Sequence, residues 1–249
     1  MSAPKAFILH LKRAVARTAN VEALQRALPI ESEVVDAVEG GNLSRQEIDD
    51  VTARRRFRPS YPFALTAAEI GAFLTHRAAW KRIAEENLDF AFVFEDDARI
   101  DSAAFVAISA FAAAERAKWD YVILPASGRS FSGDVVARRG ELALLRPYAP
   151  PLRAIGQIVS QAAAERLLAH TLPFDRPVDT FLQMTWVTGQ PILVASPSPV
   201  SDVSRESGGT TIQRKSMRLV ERLHHEIMRP IYRAQVVRRY RRSMSLVSR

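Results

Sequence analysis

Short runs of apolar residues alternate along this chain with longer segments in which apolar residues recur every three or four positions. The short runs are typical of buried strands, and the longer spacing is typical of helices that pack by one face. Strands are predicted at 6–11, 34–38, 90–94, 121–124, 155–159 and 191–195, and helices at 15–28, 66–87, 102–118, 161–170 and 178–186. A hairpin is predicted within 127–146 and a partly helical excursion at 42–60. This alternation predicts an α/β fold with a mostly parallel central sheet flanked by helices.

Two of the predicted helices begin at recognisable caps. Thr66 and Glu69 have the spacing of a capping box, in which a hydroxyl and a carboxylate each satisfy a backbone N–H group of the first turn. Ser102 is expected to cap the helix at 102–118. These caps fix where the two helices start relative to the strands on either side.

The helix at 66–87 carries two residues that need an explanation. Gly71 lies inside it, where glycine costs about 1 kcal/mol relative to alanine, so we expect close packing at that point. His76 lies on the same face as Trp80, one helical turn away. A lone helical histidine beside a tryptophan is more often structural than catalytic, and both roles stay open here.

Three consecutive acids, Glu95, Asp96 and Asp97, follow the apolar strand at 90–94. Ligands of α/β sheets bind at the carboxyl ends of strands, so this is a candidate site. Neighbouring carboxylates repel, and a divalent cation such as Mn²⁺ or Mg²⁺ relieves that repulsion while keeping positions open for phosphate oxygens. On an extended chain Glu95 and Asp97 point the same way and Asp96 the opposite way. The alternative is that the acids only cap the next element or solvate a loop.

Other polar groups near the ends of predicted elements have two interpretations each. His10 lies at the end of the first strand, with Arg13 and Arg17 nearby, where cations either bind a phosphate or merely solvate the start of a helix. Asp179 opens a short helix, as the helix dipole favours, or acts as a general base in a cleft. Asp202 has the same two interpretations.

The composition is that of an ordinary globular protein, with 249 residues of which 47% are hydrophobic and 25% charged. This length suggests one domain, or one domain with an appendage. The chain has no cysteine, which excludes disulfides, thiolate catalysis and Cys-ligated metals. P-loop, G-x-G-x-x-G, G-x-S-x-G and H-E-x-x-H motifs are also absent. ATPase, Rossmann dehydrogenase, serine hydrolase and zincin functions therefore lose their usual support.

The net charge of +8 is concentrated at the end of the chain. Residues 214–249 hold eleven Lys and Arg against two acids, whereas the preceding residues hold 24 against 25. We therefore divide the chain into a domain at 1–211 and a basic amphipathic helical tail at 212–249. The apolar residues of the tail recur three or four positions apart: Met217, Val220, Leu223, Ile227 and Ile231. Pro230 is expected to kink or break this helix.

Three partners are open for the tail. An anionic membrane surface would attract it by about 1 kcal/mol per basic residue. In the second case the apolar stripe packs on the body and the arginines are solvated. Nucleic acid is the least favoured, because only Tyr232 and Tyr240 can stack on bases. With no signal segment or membrane-spanning helix expected, we predict a cytoplasmic protein that can attach to the inner face of the membrane.

The chain resembles glycosyltransferase family 25, the lipooligosaccharide galactosyltransferase-like group that includes collagen galactosyltransferases. The resemblance runs over about residues 6–205 and rests on an ordered set of motifs: A-F-I-L-H-L-K-R-A-V-A-R at 6–17, D-A-V-E-G at 36–40, L-T-A-A-E-I-G-A-F-L-T-H at 65–76, A-F-V-F-E-D-D at 91–97, A-I-G-Q-I-V-S at 154–160, P-V-D-T-F-L at 177–182 and S-D-V at 201–203. It implies a GT-A-like fold, a nucleotide-sugar donor that is typically UDP-galactose, Mn²⁺, and inversion at the sugar carbon.

The resemblance also implies roles for particular residues. Asp97 would bind the metal that bridges the diphosphate of the donor, and Glu95 would bind the metal or the ribose. Asp179 matches the P-x-D position and is the first candidate for the base that deprotonates the acceptor hydroxyl. Arg13 and Arg17 match basic positions of the family after the first strand, and would contact the donor. Four further residues fall within the matching motifs and are candidate substrate contacts: Glu69, His76, Asp96 and Asp202.

The sequence departs from the family pattern in two places. His10 and Lys12 stand where the family has Asn and Asp, which bears on the choice of nucleotide or sugar. The segment 154–157 lacks the aromatic residue of the usual G-T-x-G-Y, which bears on the acceptor site.

The resemblance predicts a metal-dependent inverting transferase that moves a sugar to a cell-surface glycan, such as lipopolysaccharide or lipooligosaccharide. The acceptor would be a glycan or a lipid-linked glycan. A rival hypothesis from another class is a non-catalytic, glycosyltransferase-like binding module tethered through its basic tail. A nucleotide-sugar hydrolase is a third possibility, and release of free sugar without an acceptor would distinguish it.

Overall fold

The computed structural model of the protein describes residues 4–206 and 219–247. These residues form ten strands: β1 Lys5–His10, β2 Ser32–Asp36, β3 Phe90–Glu95, β4 Ala98–Ile100, β5 Tyr121–Ile123, β6 Gly133–Arg139, β7 Leu142–Pro147, β8 Gly156–Ser160, β9 Leu193–Ser196 and β10 Val200–Asp202. They also form eight α-helices: α1 Val15–Ala27, α2 Arg45–Val51, α3 Ala67–Glu85, α4 Ser102–Ala114, α5 Gln161–His170, α6 Val178–Leu182, α7 Thr185–Thr188 and α8 Leu219–Val247. The predicted boundary between body and tail, at 211–212, lies outside the described residues.

Eight strands form one central sheet in the order β2-β1-β3-β8-β5-β9-β7-β6, and β4 pairs with β10 in a separate antiparallel ladder. Within the central sheet six strands point the same way, whereas β7 and β8 run in the opposite direction. The predicted α/β fold with a large central sheet is confirmed. The sheet is mixed, because β8 inserts antiparallel between β3 and β5.

The helices cover both faces of this sheet. On one face α3, α5 and α6 bury Phe73, Leu167 and Phe181 against the sheet. On the other face α1 and α4 bury Leu24 and Phe105 in a second core. Successive residues of a strand face opposite sides, so alternate residues of β1 and β3 belong to different cores.

The start of α3 is built as expected. Thr66 Oγ1 accepts a hydrogen bond from the Glu69 backbone N–H at 3.2 Å, and Glu69 Oε2 accepts one from the Thr66 N–H at 2.8 Å, so the capping box is confirmed. Gly71 packs directly on the chain that follows β2, since a Cβ atom there would lie 2.4 Å from Val38 O. The expected close packing is therefore confirmed, and it fixes α3 against the sheet.

Two expectations about helix boundaries were wrong. Asp101 caps α4 by accepting a hydrogen bond from the Ala104 N–H at 2.9 Å, and Ser102 is the first helical residue, donating its hydroxyl to Ala27 O at 2.8 Å. Both residue types are good caps, so their order alone does not choose between them. The helix predicted at 178–186 is divided into α6 and α7, because Met184, with φ −87° and ψ 60°, leaves the helical conformation.

Helix α8 continues through Pro230 without a break and packs on the body. Its buried residues are Tyr232, Val236 and Tyr240, one turn apart, whereas Ile227 and Ile231 of the predicted apolar stripe are 51% and 45% exposed. The predicted face is therefore wrong at Ile227 and Ile231. Met217 and the side chains of Val220 and Leu223 lie outside what the structure describes. Tyr232 decides the orientation, since its hydroxyl accepts a hydrogen bond of 2.6 Å from the buried Arg176. None of the described helices is both long enough and apolar enough to cross a bilayer.

Candidate active site

The acidic run lies at a turn between β3 and β4. Strand β3 ends at Glu95, and the chain turns at Asp96 and Asp97. The expectation of an extended chain through the three acids is therefore wrong. Their side chains do not divide into Glu95 and Asp97 on one side and Asp96 on the other. Glu95 reaches towards α3, whereas Asp96 and Asp97 both lie beside Arg17 of α1.

The carboxylate of Asp96 is fully engaged inside the protein. One oxygen lies 2.9 Å from His10 Nδ1 and the other accepts a short hydrogen bond from Arg17. Asn20 Nδ2 donates to the Asp96 carbonyl at 2.8 Å. The side chains of His10, Arg17 and Asp96 are each at least nine-tenths buried. Asp96 and Arg17 were both predicted to contact substrate. In the structure their hydrogen bonds fix the turn. The structure also accounts for His10, which departs from the family pattern but pairs with Asp96.

Asp97 has a different environment. Its Oδ1 atom is buried and has no hydrogen-bond partner among the described residues, while Oδ2 lies 3.4 Å from Arg17 Nη1. Burial, with the charge of Glu95 adding to it, raises the pKa of Asp97 to about 7, even though Arg17 acts to lower it. Asp202 is near enough for its charge to raise this pKa further. A buried carboxylate in this state is stabilised by a cation.

A buried chain of hydrogen bonds reaches Glu95 from the protein interior. Tyr121 donates its hydroxyl to Gln157 Oε1, and Gln157 Nε2 lies 3.2 Å from His76 Nδ1. His76 Nε2 lies 3.3 Å from Glu95 Oε1. The first three side chains are almost completely buried, whereas the side chain of Glu95 is 38% exposed. The chain therefore ends at the solvent-facing member of the acidic run.

The direction of each hydrogen bond in this chain can be assigned. Gln157 Nε2 also donates to Ala154 O at 2.8 Å, which fixes the amide so that its N–H groups face His76. His76 Nδ1 must then accept, and the proton lies on Nε2, directed at Glu95. Burial, with the charge of Glu95 adding to it, raises the pKa of Tyr121 well above its ordinary value, so its hydroxyl stays a donor. His76 therefore orients Glu95.

We expect NMR of ¹⁵N-labelled protein to place His76 in the Nε2–H tautomer. Gln157→Leu removes the donor to Nδ1 and should release this preference. Gln190→Leu is the matched control, because Gln190 is also buried but bonds to Arg166 and Pro191. An Nδ1–H signal from His76 in the unsubstituted protein would contradict the assignment.

The two remaining carboxylates approach from the second half of the chain. Asp179, in the first turn of α6, is half-buried and accepts hydrogen bonds from the Thr180 N–H and hydroxyl at 2.7 and 3.2 Å. Burial raises its pKa, and the charge of Glu95 adds to the rise. Asp202 ends β10. Partial burial acts to raise its pKa, but hydrogen bonds from Ser204 and the charge of Arg153 hold it below its ordinary value.

The two other predicted contacts, Arg13 and Glu69, have partners within the protein. Arg13 pairs with Glu39, and Lys12 lies 2.6 Å from Asp36, both at exposed positions. Glu69 is engaged in the capping box of α3.

Sequence reasoning missed four residues of the site: Tyr61, Tyr121, Arg153 and Gln157. Arg153, at φ +74°, pairs with Asp202. Tyr61 lies near enough to Glu69 and Asp179 for their charges to raise its pKa, beyond the larger effect of burial. Gln157 lies within the A-I-G-Q-I-V-S motif, where it is a lone polar side chain inside an apolar strand, but no role was assigned to it.

The protein has a mixed sheet flanked by helices, with carboxylates grouped at the ends of strands. This arrangement is typical of α/β proteins that bind a ligand at the sheet edge. Residues 3–182 match the model of a family described as glycosyltransferase family 25 (LPS biosynthesis protein). The chain therefore belongs to glycosyltransferase family 25, and the resemblance seen in its motifs is confirmed.

Procollagen galactosyltransferase 1-A of Xenopus laevis is 34% identical over 106 residues, which are 41% of this chain and 17% of that protein. Inactive glycosyltransferase 25 family member 3 of Homo sapiens is 30% identical over 126 residues, 47% of this chain and 21% of that protein. The matched segments thus span about a fifth of these relatives. A solved Drosophila β-1,4-galactosyltransferase 7 mutant, in complex with manganese, UDP-Gal and xylobiose, is 11% identical with a TM-score of 0.36, covering 88% of this chain and 79% of that one.

Proposed function

We propose that this protein is a metal-dependent, inverting glycosyltransferase that moves a sugar from a nucleotide-sugar donor to a cell-surface glycan, such as lipopolysaccharide. The observation that carries the proposal is the buried, unpartnered carboxylate oxygen of Asp97 beside Glu95 at the end of β3. Family membership supports transfer and the GT-A-like arrangement, and the relatives named as galactosyltransferases support galactose as the transferred sugar. We propose UDP-galactose as its donor.

The residues at this turn fit a divalent cation. Within 4–206 and 219–247, no three His, Asp or Glu side chains are grouped to hold a metal ion by themselves. We propose that one or two carboxylates hold Mn²⁺ or Mg²⁺ here, with phosphate oxygens of the donor completing the coordination. Asp97 and Glu95 would hold the ion, which when bound supplies positive charge opposite the departing diphosphate. His76 orients Glu95, and Arg17 positions Asp97.

Asp179 is the proposed general base. Inversion needs a group that removes the proton of the acceptor hydroxyl while the diphosphate leaves from the other face of the sugar. Burial and the charge of Glu95 raise the pKa of Asp179, which makes the carboxylate a better proton acceptor than an exposed one. Hydrogen bonds from Thr180 hold one of its oxygens in place.

Thermal stabilisation by a panel of UDP-, GDP- and CMP-sugars, with and without Mn²⁺, tests the donor site. A donor at 100 times its dissociation constant should add about 2.7 kcal/mol to the stability of the folded protein. A Mn²⁺-dependent shift with one nucleotide supports the proposal and identifies the donor class. The absence of a shift with every donor, from well-folded protein, would contradict it.

A non-catalytic binding module is the second candidate, because one relative carries the name inactive glycosyltransferase 25 family member 3. In that case a donor can still bind, but no sugar is transferred and no nucleoside diphosphate is released. Measuring diphosphate release with and without a glycan acceptor separates the two functions. Release without an acceptor would instead indicate a hydrolase.

Asp179→Asn should lower kcat by about 10²–10⁴-fold, because it removes the proton acceptor. Donor-dependent thermal stabilisation should be unchanged, since the base contacts the acceptor and not the metal. Asp49→Asn, at an exposed position on α2, is the control and should retain full activity. Loss of donor stabilisation in Asp179→Asn would instead place this carboxylate in the donor site.

We propose further that the outer face of α8 attaches the protein to an anionic membrane surface, on the side where a lipid-linked acceptor is made. Ile227 and Ile231 are exposed there, and Arg238 and Arg239 are also exposed. Apolar side chains beside cations are typical of helices that lie on anionic lipid. The inward face is occupied by the body, so only the outer face is available for this contact.

Neutralising Arg238 and Arg239 together, each to Gln, should weaken binding to phosphatidylglycerol vesicles by about 2 kcal/mol, at about 1 kcal/mol per charge. Co-sedimentation measures the effect. Arg26→Gln with Arg45→Gln removes the same charge from exposed positions on α1 and α2 and should bind as the unsubstituted protein does. Equal loss in both double variants would show that attraction is general and not a property of α8.

A further inference from the structure

A cavity lies away from the acidic turn, where α8 covers the β6–β7 hairpin. Its volume is about 340 Å³, and its walls come from Arg146 and Pro147 of β7, Tyr148 beyond it, and Tyr240 and Met244 of α8. None of the predicted site residues lines it. The cavity is therefore separate from the candidate active site.

Two residues that line this cavity each carry a buried polar atom with no hydrogen-bond partner within the described part of the chain: Tyr240 Oη and Arg146 Nε. Tyr240 is fully buried, and burial raises its pKa to about 12, although the charge of Arg146 acts to lower it. The phenol therefore keeps its proton and is a hydrogen-bond donor at neutral pH. Buried donors are nearly always paired in folded proteins, so two unpaired donors in one cavity indicate a ligand that accepts from both.

The charge of the cavity selects the kind of ligand. Arg241 also lines it, and its Nε donates to Tyr148 O at 3.1 Å. Asp134 is the one carboxylate among the lining residues, and it already accepts a hydrogen bond of 2.9 Å from the Tyr148 hydroxyl. Two guanidinium groups against one carboxylate leave a positive excess. Guanidinium groups match the geometry of phosphate oxygens.

The remaining walls are apolar, since Pro147, Met244 and the ring of Tyr240 surround the donors. We propose that this cavity binds a phosphate ester that carries an apolar group, with Arg146, Tyr240 and Arg241 holding the phosphate. The phosphate can belong to a soluble molecule or to the headgroup of a lipid. The proposal does not depend on transferase activity, because no residue of the acidic turn takes part.

Calorimetric titration with phenyl phosphate, in the absence of divalent metal, tests the soluble source. We expect binding in the unsubstituted protein and about tenfold weaker binding in Arg146→Gln and in Tyr240→Phe. Sedimentation with phosphatidylcholine vesicles, with and without phosphatidic acid, tests the lipid source with the same variants. Tyr240→Phe removes only an unpartnered hydroxyl, so its melting temperature should equal or exceed that of the unsubstituted protein even if Arg146→Gln folds poorly.

Two control variants distinguish this cavity from other sites. Arg139→Gln removes the same charge from an exposed position of the same hairpin, and Asp97→Asn alters the proposed metal site; both should bind phenyl phosphate normally. Binding of phenyl phosphate that weakens in Tyr240→Phe supports a soluble ligand. Binding only to phosphatidic acid vesicles, with the same dependence on Tyr240, supports a lipid headgroup. Binding of neither, or equal binding by Tyr240→Phe and the unsubstituted protein, overturns the proposal.

Discussion

Asp97→Asn is expected to abolish sugar transfer while stabilising the metal-free protein above neutral pH. The activity should fall by more than the roughly 10–100-fold that follows loss of a residue behind a metal ligand, because the proposed ligand itself is lost. The stability should rise by up to about 4 kcal/mol, because the variant no longer buries a carboxylate whose pKa burial and Glu95 raise to about 7. Opposite effects on activity and stability at one residue identify a site built for a ligand.

The pH dependence of stability follows from the same shift. The folded protein keeps the Asp97 proton up to about pH 7, whereas the unfolded chain releases it near the ordinary value of 3.8. Stability of the metal-free protein therefore falls as pH rises between these values, and the variant lacks this contribution. Binding of Mn²⁺ needs the charged carboxylate, so stabilisation by Mn²⁺ should strengthen as pH rises through 7.

Thermal melts at several pH values, with and without Mn²⁺, measure both effects. If Asp97→Asn shows the same pH dependence as the unsubstituted protein, the raised pKa belongs to another group and the metal assignment loses its support.

Asp96→Asn, at the neighbouring residue, is expected to act in the opposite direction on stability. It should destabilise the protein by about 3 kcal/mol, because it leaves Arg17 as a buried cation without its closest anion and turns an amide towards His10 or Arg17. Urea unfolding measures the change as a lower midpoint at constant slope. The same substitution in adjacent aspartates thus distinguishes Asp96, whose carboxylate fixes the turn, from Asp97, whose carboxylate is proposed to bind a ligand.

Asp89→Asn is the control for this comparison. Asp89 pairs with Arg116 at 3.0 Å in a half-exposed position, where such pairs contribute about 0–1 kcal/mol. An Asp96→Asn variant no less stable than Asp89→Asn would contradict the structural role given to Asp96.

The elements with a strong local signal could be predicted from the sequence. The apolar run of β3 and the capping box of α3 are decided by nearby residues, and both were found close to their observed bounds. The direction of β8 could not be predicted, because an apolar run indicates burial on both faces but carries no information about orientation. The packed face of α8 was missed because Tyr232 and Tyr240 pack through contacts with distant parts of the chain.

The candidate site was partly predictable for the same reason. The position after a buried strand identified the acidic run as a candidate site. The turn at Asp96 gives Glu95, Asp96 and Asp97 different environments, and residue spacing does not show this. Gln157 reaches both Tyr121 and His76 because β8 pairs with both β3 and β5. Their contribution depends on strand order, which no local pattern contains.

Strand β9 has a consequence for how the molecule comes to be folded. It lies between β5 and β7, so among the described residues the hairpin at the far edge joins the sheet through residues 193–196. The segment that matches the family ends at 182, before this strand. A ribosome must therefore synthesise the chain beyond the matched segment before the sheet can close, and a fragment stopped at 182 would leave two strand edges open to association with other chains.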